Sequence, residues 1–191
     1  MDFTEEKNGK GKSAARGKET LFRVAYRGQN SLIQVADNKA NIIISINTMI
    51  LSSIIAITGY GVVAGQIETY QMQALVPVVL IILSCLVSMI FAIQAARPKI
   101  IKANKGGNNK EKSSLLFFGV IAGYKQKEYL DDLKTMMDNG TELYEHMSID
   151  LYNQGHILHR KYNLLSYAYQ VFMFGFVLSV VVFLGFLAWS T

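Results

Sequence analysis

Three apolar blocks constrain this chain more than any other feature. They cover residues 42–60, 74–96 and 167–189. A helix needs about 20 predominantly apolar residues to cross the hydrocarbon core of a bilayer. The second block, ALVPVVLIILSCLVSMIFAIQAA, and the third, YAYQVFMFGFVLSVVVFLGFLAW, reach that length without a charge. Pro77 is predicted in the first turn of the second block, where a missing amide donor costs little. The first block is more polar, with Ser45, Asn47, Thr48, Ser52 and Ser53 inside it. Read as a buried helix it would need a soluble core, and the two stronger blocks leave none. The expected fold is an all-α integral membrane protein, with three transmembrane helices and long cytoplasmic helical extensions.

Charge fixes the expected orientation. Residues 1–40 hold eight Lys or Arg, and RPKIIKANKGGNNKEK at 97–112 holds six. The 61–73 loop, GVVAGQIETYQMQ, has no cation and one Glu. Basic loops stay on the cytoplasmic side, so the amino terminus and the 97–166 segment are expected in the cytoplasm. Three spans then carry Ser190 and Thr191 outside. Residues 1–19 have no apolar core of a signal peptide and read as a disordered basic tail. The single cysteine, Cys85, sits inside an apolar block and implies no disulfide.

The division expected is a tail at 1–19, a cytoplasmic helix with two spans at 20–96, a linker and helical stalk at 97–166, and the third span from 167 to 191. KANKGGNNKEKSS at 102–114 reads as a mobile linker. LLFFGVIAG at 115–123 is too short to span and is expected to pack on protein or membrane. KQKEYLDDLKTMMD at 125–138 sets Tyr129, Leu133 and Met136/Met137 on one helix face. Asn139-Gly140 is expected to stop that helix and Thr141 to cap the next. The next carries Leu143, Met147, Leu151, Leu158, Tyr162 and Leu165 on one stripe, interrupted only by Gly155. It is predicted to run on into the third span, about 45 residues in all and roughly 65–70 Å. Thr20 is predicted to cap a helix before the first span, with Leu21, Val24, Leu32, Val35 and Ala36 as its apolar stripe and Gly28 weakening its middle. Apolar faces that one small chain only partly covers point to a homo-oligomer.

Several separated motifs carry a family resemblance. TLFRVAYRGQNSLIQVADNKANIIISIN, the RPK after the second span, LLFFG, and LYEHMSIDLYNQGHILHRKYNLLSYAYQVFMFG occur in this order. Together, over about 20–175, they closely resemble the transmembrane effector family of Pycsar antiphage defence systems, a bacterial domain also found fused to HD phosphohydrolases. The resemblance implies an inner-membrane effector working beside a partner pyrimidine cyclase. Cyclic UMP or cyclic CMP made on infection would activate it to impair the membrane, an abortive infection.

The residues can be asked whether they suit that role. Asp37, Asn41, Ser45, Thr48 and Ser52 lie four, four, three and four apart and form one polar stripe entering the membrane, flanked by Asn38 and Asn47. Polar groups in lipid normally face a bundle or water, which makes Asp37, Asn38, Asn41, Ser45 and Thr48 candidates for pore or gating. Small polar residues also simply pack helix on helix. That reading is the stronger one for Ser45, Thr48 and Ser52, the functional one for Asp37 and Asn41. Asp37 is expected to pair with Lys39 or Arg97. For a nucleotide phosphate the candidates are Arg23, Arg27, Arg97 and Arg160, with Lys99 and Lys161 nearby; Tyr26, Tyr124, Tyr152 and Tyr162 could stack on a base. Arg23 and Arg27 lie one turn apart. Basic residues beside spans also follow from topology alone and attract anionic lipid.

An enzyme is not expected. His146 with Asp150, and His156 with His159, share helix faces, but a metal site needs three or four converging ligands. No nucleophile elbow or phosphate-cradling loop is present. No metal or cofactor is expected; the activating ligand that the resemblance implies is cyclic UMP or cyclic CMP, bound directly or, since no cyclic-nucleotide-binding β-roll is recognisable, through a separate sensor subunit. The competing reading is a membrane anchor or scaffold whose cytoplasmic helices bind a partner protein without forming a pore. Nucleic-acid binding, suggested by the net charge of +5, is set aside because topology already accounts for the basic residues.

Overall fold

The structure, a computed structural model, describes residues 3–63, 72–98 and 114–190. It contains α1 (Phe3–Val63), α2 (Met72–Ala96), α3 (Phe118–Ile121), α4 (Gln126–Asp138) and α5 (Gly140–Ser190), with no strand among the described residues. Parts of α1, α2 and α5, within Arg16–Gly61, Leu75–Ala96 and Gly140–Trp189, are long and apolar enough to cross a membrane. The expected linker at 102–114, Ser114 apart, lies outside the described residues, as do Lys99 and most of the 61–73 loop.

Three boundaries differ from expectation, each for a local reason. The helix α1 begins at Phe3, so the segment read as a disordered tail continues it. Polar composition denies that segment a core, but Ala14, Ala15, Arg16, Lys18 and Glu19 are good helix formers. Thr20 is therefore no cap: its hydroxyl donates back to the Arg16 carbonyl at 2.8 Å. Pro77 falls one turn inside α2 rather than in its first turn, because the helix starts at Met72. Asn139, not Thr141, caps α5. Its side-chain oxygen accepts the Thr141 amide at 3.3 Å, as an N-cap does, and its side-chain amide donates to the Glu142 carboxylate at 3.4 Å. The helix then runs unbroken through Gly155 for 51 residues.

Two compact units divide these helices. The first comprises Met1–Ile33 and Pro98–Leu158. Its centre is apolar at Leu115, Phe117, Val120 and Met136, all buried. The short 115–123 segment thus packs on protein, anchored where Ser114 accepts the Leu116 amide at 3.2 Å. On α4 the buried methionine is Met136, whereas Met137 is 63% exposed. Phe22 of α1 stacks on Tyr144 of α5, ring centroids 5.7 Å apart. The face of α1 turned inward here holds Phe22, Ala25, Tyr26, Gln29 and Ile33. The stripe expected to be buried is mostly exposed instead: Leu21 66%, Val24 64%, Leu32 48% and Val35 40%; only Ala36 is buried.

The second unit comprises Gln34–Arg97 and His159–Thr191. Ala40 and Ile43 of α1, Ala92 and Ala95 of α2, and Leu165 and Ala168 of α5 form its core. Four of those six are alanine, which lets backbones approach closely where lipid supplies no hydrophobic drive. Closest is Gly175 of α5, where an added Cβ would fall 1.9 Å from Ser84 Oγ.

Candidate functional site

In the membrane-crossing unit, polar side chains fall into two sets. One is buried between helices. Asn47, with no exposure, donates to Ser88 Oγ at 3.0 Å, and Ser88 donates onward to the Ala168 carbonyl at 2.8 Å. A single hydroxyl therefore joins α1, α2 and α5 at one level. Ser84 donates to the Val171 carbonyl at 2.9 Å and Ser179 to the Pro77 carbonyl at 2.7 Å, fastening α2 to α5 twice more. The Asn47 carbonyl oxygen is buried with no partner among the described residues. By sequence Asn47 falls only at the flank of the polar stripe. Its register, seven residues beyond Ala40 and four beyond Ile43 on one face of the helix, is the signal that marks it as inward-facing.

The other set is the stripe singled out from the sequence. Asp37 is its one half-buried member; Asn38, Asn41, Ser45, Thr48 and Ser52 are all exposed. Thr48 returns its hydroxyl to the Ile44 carbonyl at 2.8 Å. Asp37 pairs with Lys161 of α5 at 2.5 Å, not with Lys39 or Arg97. Lys161 is 12% exposed, so the pair is partly withdrawn from solvent. On α5 it precedes by two turns Ala168, whose carbonyl ends the Asn47 relay.

A second polar cluster sits in the other unit. Asp150 of α5 is 4% exposed, and its hydrogen-bond donors among the described residues are neutral. Its Oδ2 accepts the Tyr26 hydroxyl at 2.8 Å and the Gln154 amide at 3.0 Å. Tyr26 also reaches the Met147 carbonyl at 3.1 Å, and Gln29 donates to the Leu151 carbonyl at 3.1 Å. Asp150 Oδ1, Gln29 Oε1, Gln154 Oε1 and His146 Nδ1 are buried with no partner among the described residues. Burial first, and then the Asp150 hydrogen bond and charge, push the Tyr26 phenol far above its ordinary value. Unpaired buried acceptors are costly, and Asp150, Gln29 and Gln154 each carry one while taking part in this contact.

The residues proposed for a nucleotide phosphate are divided between the units. Arg23 and Arg27 lie in the first, Arg97 and Arg160 in the second, all exposed. Arg23 is engaged by Glu19 at 2.5 Å, one turn away on the same helix. Of the tyrosines, Tyr26 is held by Asp150, and Tyr152 packs edge-on against His156. No group of three or more His, Cys, Asp or Glu side chains suited to a metal occurs among the described residues.

Residues 20–189 match the Pycsar effector protein domain. No curated protein and no solved structure matches the chain.

Proposed function

This chain belongs to the Pycsar effector family, and on that premise we propose that cyclic UMP or cyclic CMP switches it from a resting membrane protein to a membrane-disrupting oligomer. Family membership makes it a membrane effector of cyclic-pyrimidine antiphage defence, responding to a partner cyclase. The basic end of α1 and the 97–166 segment lie on the cytoplasmic side of the host's inner membrane. The protein is not an enzyme and uses no cofactor; the nucleotide is its signal.

One observation carries the proposal. On its exposed surface α1 carries Leu21 and Val24 where the helix is hydrophilic in composition, and within the apolar block it carries Ser45, Thr48 and Ser52 as a polar strip beside the exposed Ile42, Ile46 and Met49. Water disfavours the first and lipid the second. Other copies of the chain relieve both, covering the apolar stretch and enclosing the polar one around water. Arg23 and Arg27 remain the proposed phosphate contacts.

Dye-loaded liposomes carrying the purified protein test this. Leakage is expected with cyclic UMP or cyclic CMP and not with cyclic AMP. Ser45→Leu with Ser52→Leu should abolish leakage while insertion is retained. Undiminished leakage from that variant would sink the α1 lining. Nucleotide binding without leakage in the parent protein would favour a scaffold instead.

A further inference from the structure

The second unit has a groove whose lining includes none of the residues proposed for the nucleotide phosphate or for a water path. It measures about 610 Å³ and follows α5 from Tyr162 to Val177, with Lys39 of α1 on its rim. Its chemistry changes along its length. Lys39, Ser166 and Gln170 are polar members of its lining, the last two in the first half of that stretch of α5, while Met173, Phe176 and Val177 line the second half. The polar end coincides with the start of the third apolar block at 167, and the apolar end lies within that block.

We propose that this groove binds one anionic phospholipid, its phosphate at Lys39 and an acyl chain along Met173, Phe176 and Val177. Charge complementarity selects this occupant. Lys39 is exposed, and Asp37, the acid nearest to it in sequence, is taken by Lys161. Tyr169 donates its hydroxyl to the Lys39 backbone carbonyl at 3.3 Å, which fixes that stretch of α1 beside the groove. Ser166 and Gln170 supply neutral donors beside the cation, as a phosphate oxygen requires. A hydrocarbon chain alone would find the apolar end adequate but would leave Lys39 without a counter-ion at the depth where headgroups lie. A second copy of the chain would have to bring an acid to Lys39 and an apolar ridge to Phe176 at the same spacing.

Tryptophan quenching in liposomes tests the assignment. Phe176→Trp in a Trp189→Phe background places the sole indole in the groove, since the chain has one tryptophan. Met173→Trp serves equally if the first variant fails to insert. Brominated phosphatidylglycerol, titrated into phosphatidylcholine, is expected to reach half-maximal quenching at a mole fraction at least about fivefold below that of brominated phosphatidylcholine, a preference of the size a headgroup–cation contact supplies. Lys39→Gln should remove the difference. Equal quenching by the two lipids in the parent background would mean ordinary annular lipid and overturn the proposal. Quenching by neither would mean that another copy covers the groove, which overturns it as well. The readout needs no nucleotide, so it stands or falls apart from the effector reading.

Discussion

Substituting Gly175 by alanine tests the packing of α2 on α5. The added Cβ would lie 1.9 Å from Ser84 Oγ and 2.3 Å from Ser84 Cβ. Rotating the Ser84 side chain moves the hydroxyl away but leaves its Cβ where it is. Ordinary contact begins near 3.4 Å, so the two backbones must part by more than an ångström. Overpacking of this kind costs about 1–3 kcal/mol. Parting the helices also stretches the 2.9 Å bond from Ser84 to the Val171 carbonyl, worth about 0.6 kcal/mol inside a membrane. Together Gly175→Ala should destabilise the protein by about 2–4 kcal/mol. Equilibrium unfolding in mixed micelles, with helicity followed by circular dichroism, measures this. Adding Ser84→Gly removes the atoms in the way and should recover most of the loss, leaving only the missing hydrogen bond. A Gly175→Ala protein as stable as its parent would refute the close approach. So would a loss that Ser84→Gly fails to repair.

Three further outcomes are expected. Tyr26→Phe removes the hydroxyl shared by Asp150 and Met147 and should cost about 1 kcal/mol in thermal unfolding near pH 7. Because the folded protein raises the Tyr26 pKa above its ordinary 10.0, this contribution is intact below about pH 10 and lost as pH rises further. Tyr26→Phe should therefore flatten the alkaline decline in melting temperature, leaving the part due to Tyr124, which is also raised, chiefly by burial. Reversing the Asp37–Lys161 pair as Asp37→Lys with Lys161→Asp should restore stability that either single change lowers, with a coupling of about 1 kcal/mol in a double-mutant cycle. An added Cβ at Gly28 meets nothing within 4 Å, so Gly28→Ala should stabilise α1 by about 0.5–1 kcal/mol, read as a higher melting temperature.

The three spans are legible in the sequence because a bilayer sets a length that composition either meets or misses. Long helices leading into the first and third spans are legible for a similar reason, since no proline falls in α1 or α5. What one helix presents to another is harder to read. The α1 stripe of Leu21, Val24, Leu32 and Val35 is apolar at helical spacing, yet the chain packs the neighbouring stripe through Phe22, Tyr26 and Gln29. Periodicity reports that a face is apolar, not which partner covers it. The same limit governs Asp37: Lys39 and Arg97 are near in sequence or topology, whereas Lys161 becomes its partner only once α1 lies against α5. Thr141 reads as the cap of α5 because Asn-Gly also reads as a stop; the capping geometry favours Asn139 with Glu142 three residues on.

The distribution of these contacts decides which span is free to move. Among the described residues, α2 is joined to α5 by three direct hydrogen bonds, from Ser84, Ser88 and Ser179, and by the approach at Gly175. α1 reaches α2 through the Asn47–Ser88 bond, and reaches α5 through the Asp37–Lys161 pair and the Tyr169 bond to the Lys39 carbonyl. If α1 withdrew, Ser88 would keep its bond to Ala168, so α2 and α5 would stay together. The Tyr169 bond would be lost too, and the exposed polar defects would fall on Asn47, already carrying one unpaired oxygen, and on the ion pair. Both defects are relieved by water or by polar groups from another copy. α1 also carries the exposed Asn41, Ser45, Thr48 and Ser52. The span with the fewest of these ties within the membrane is thus the one with the most to gain from a wet, oligomeric setting, as the proposed effector requires.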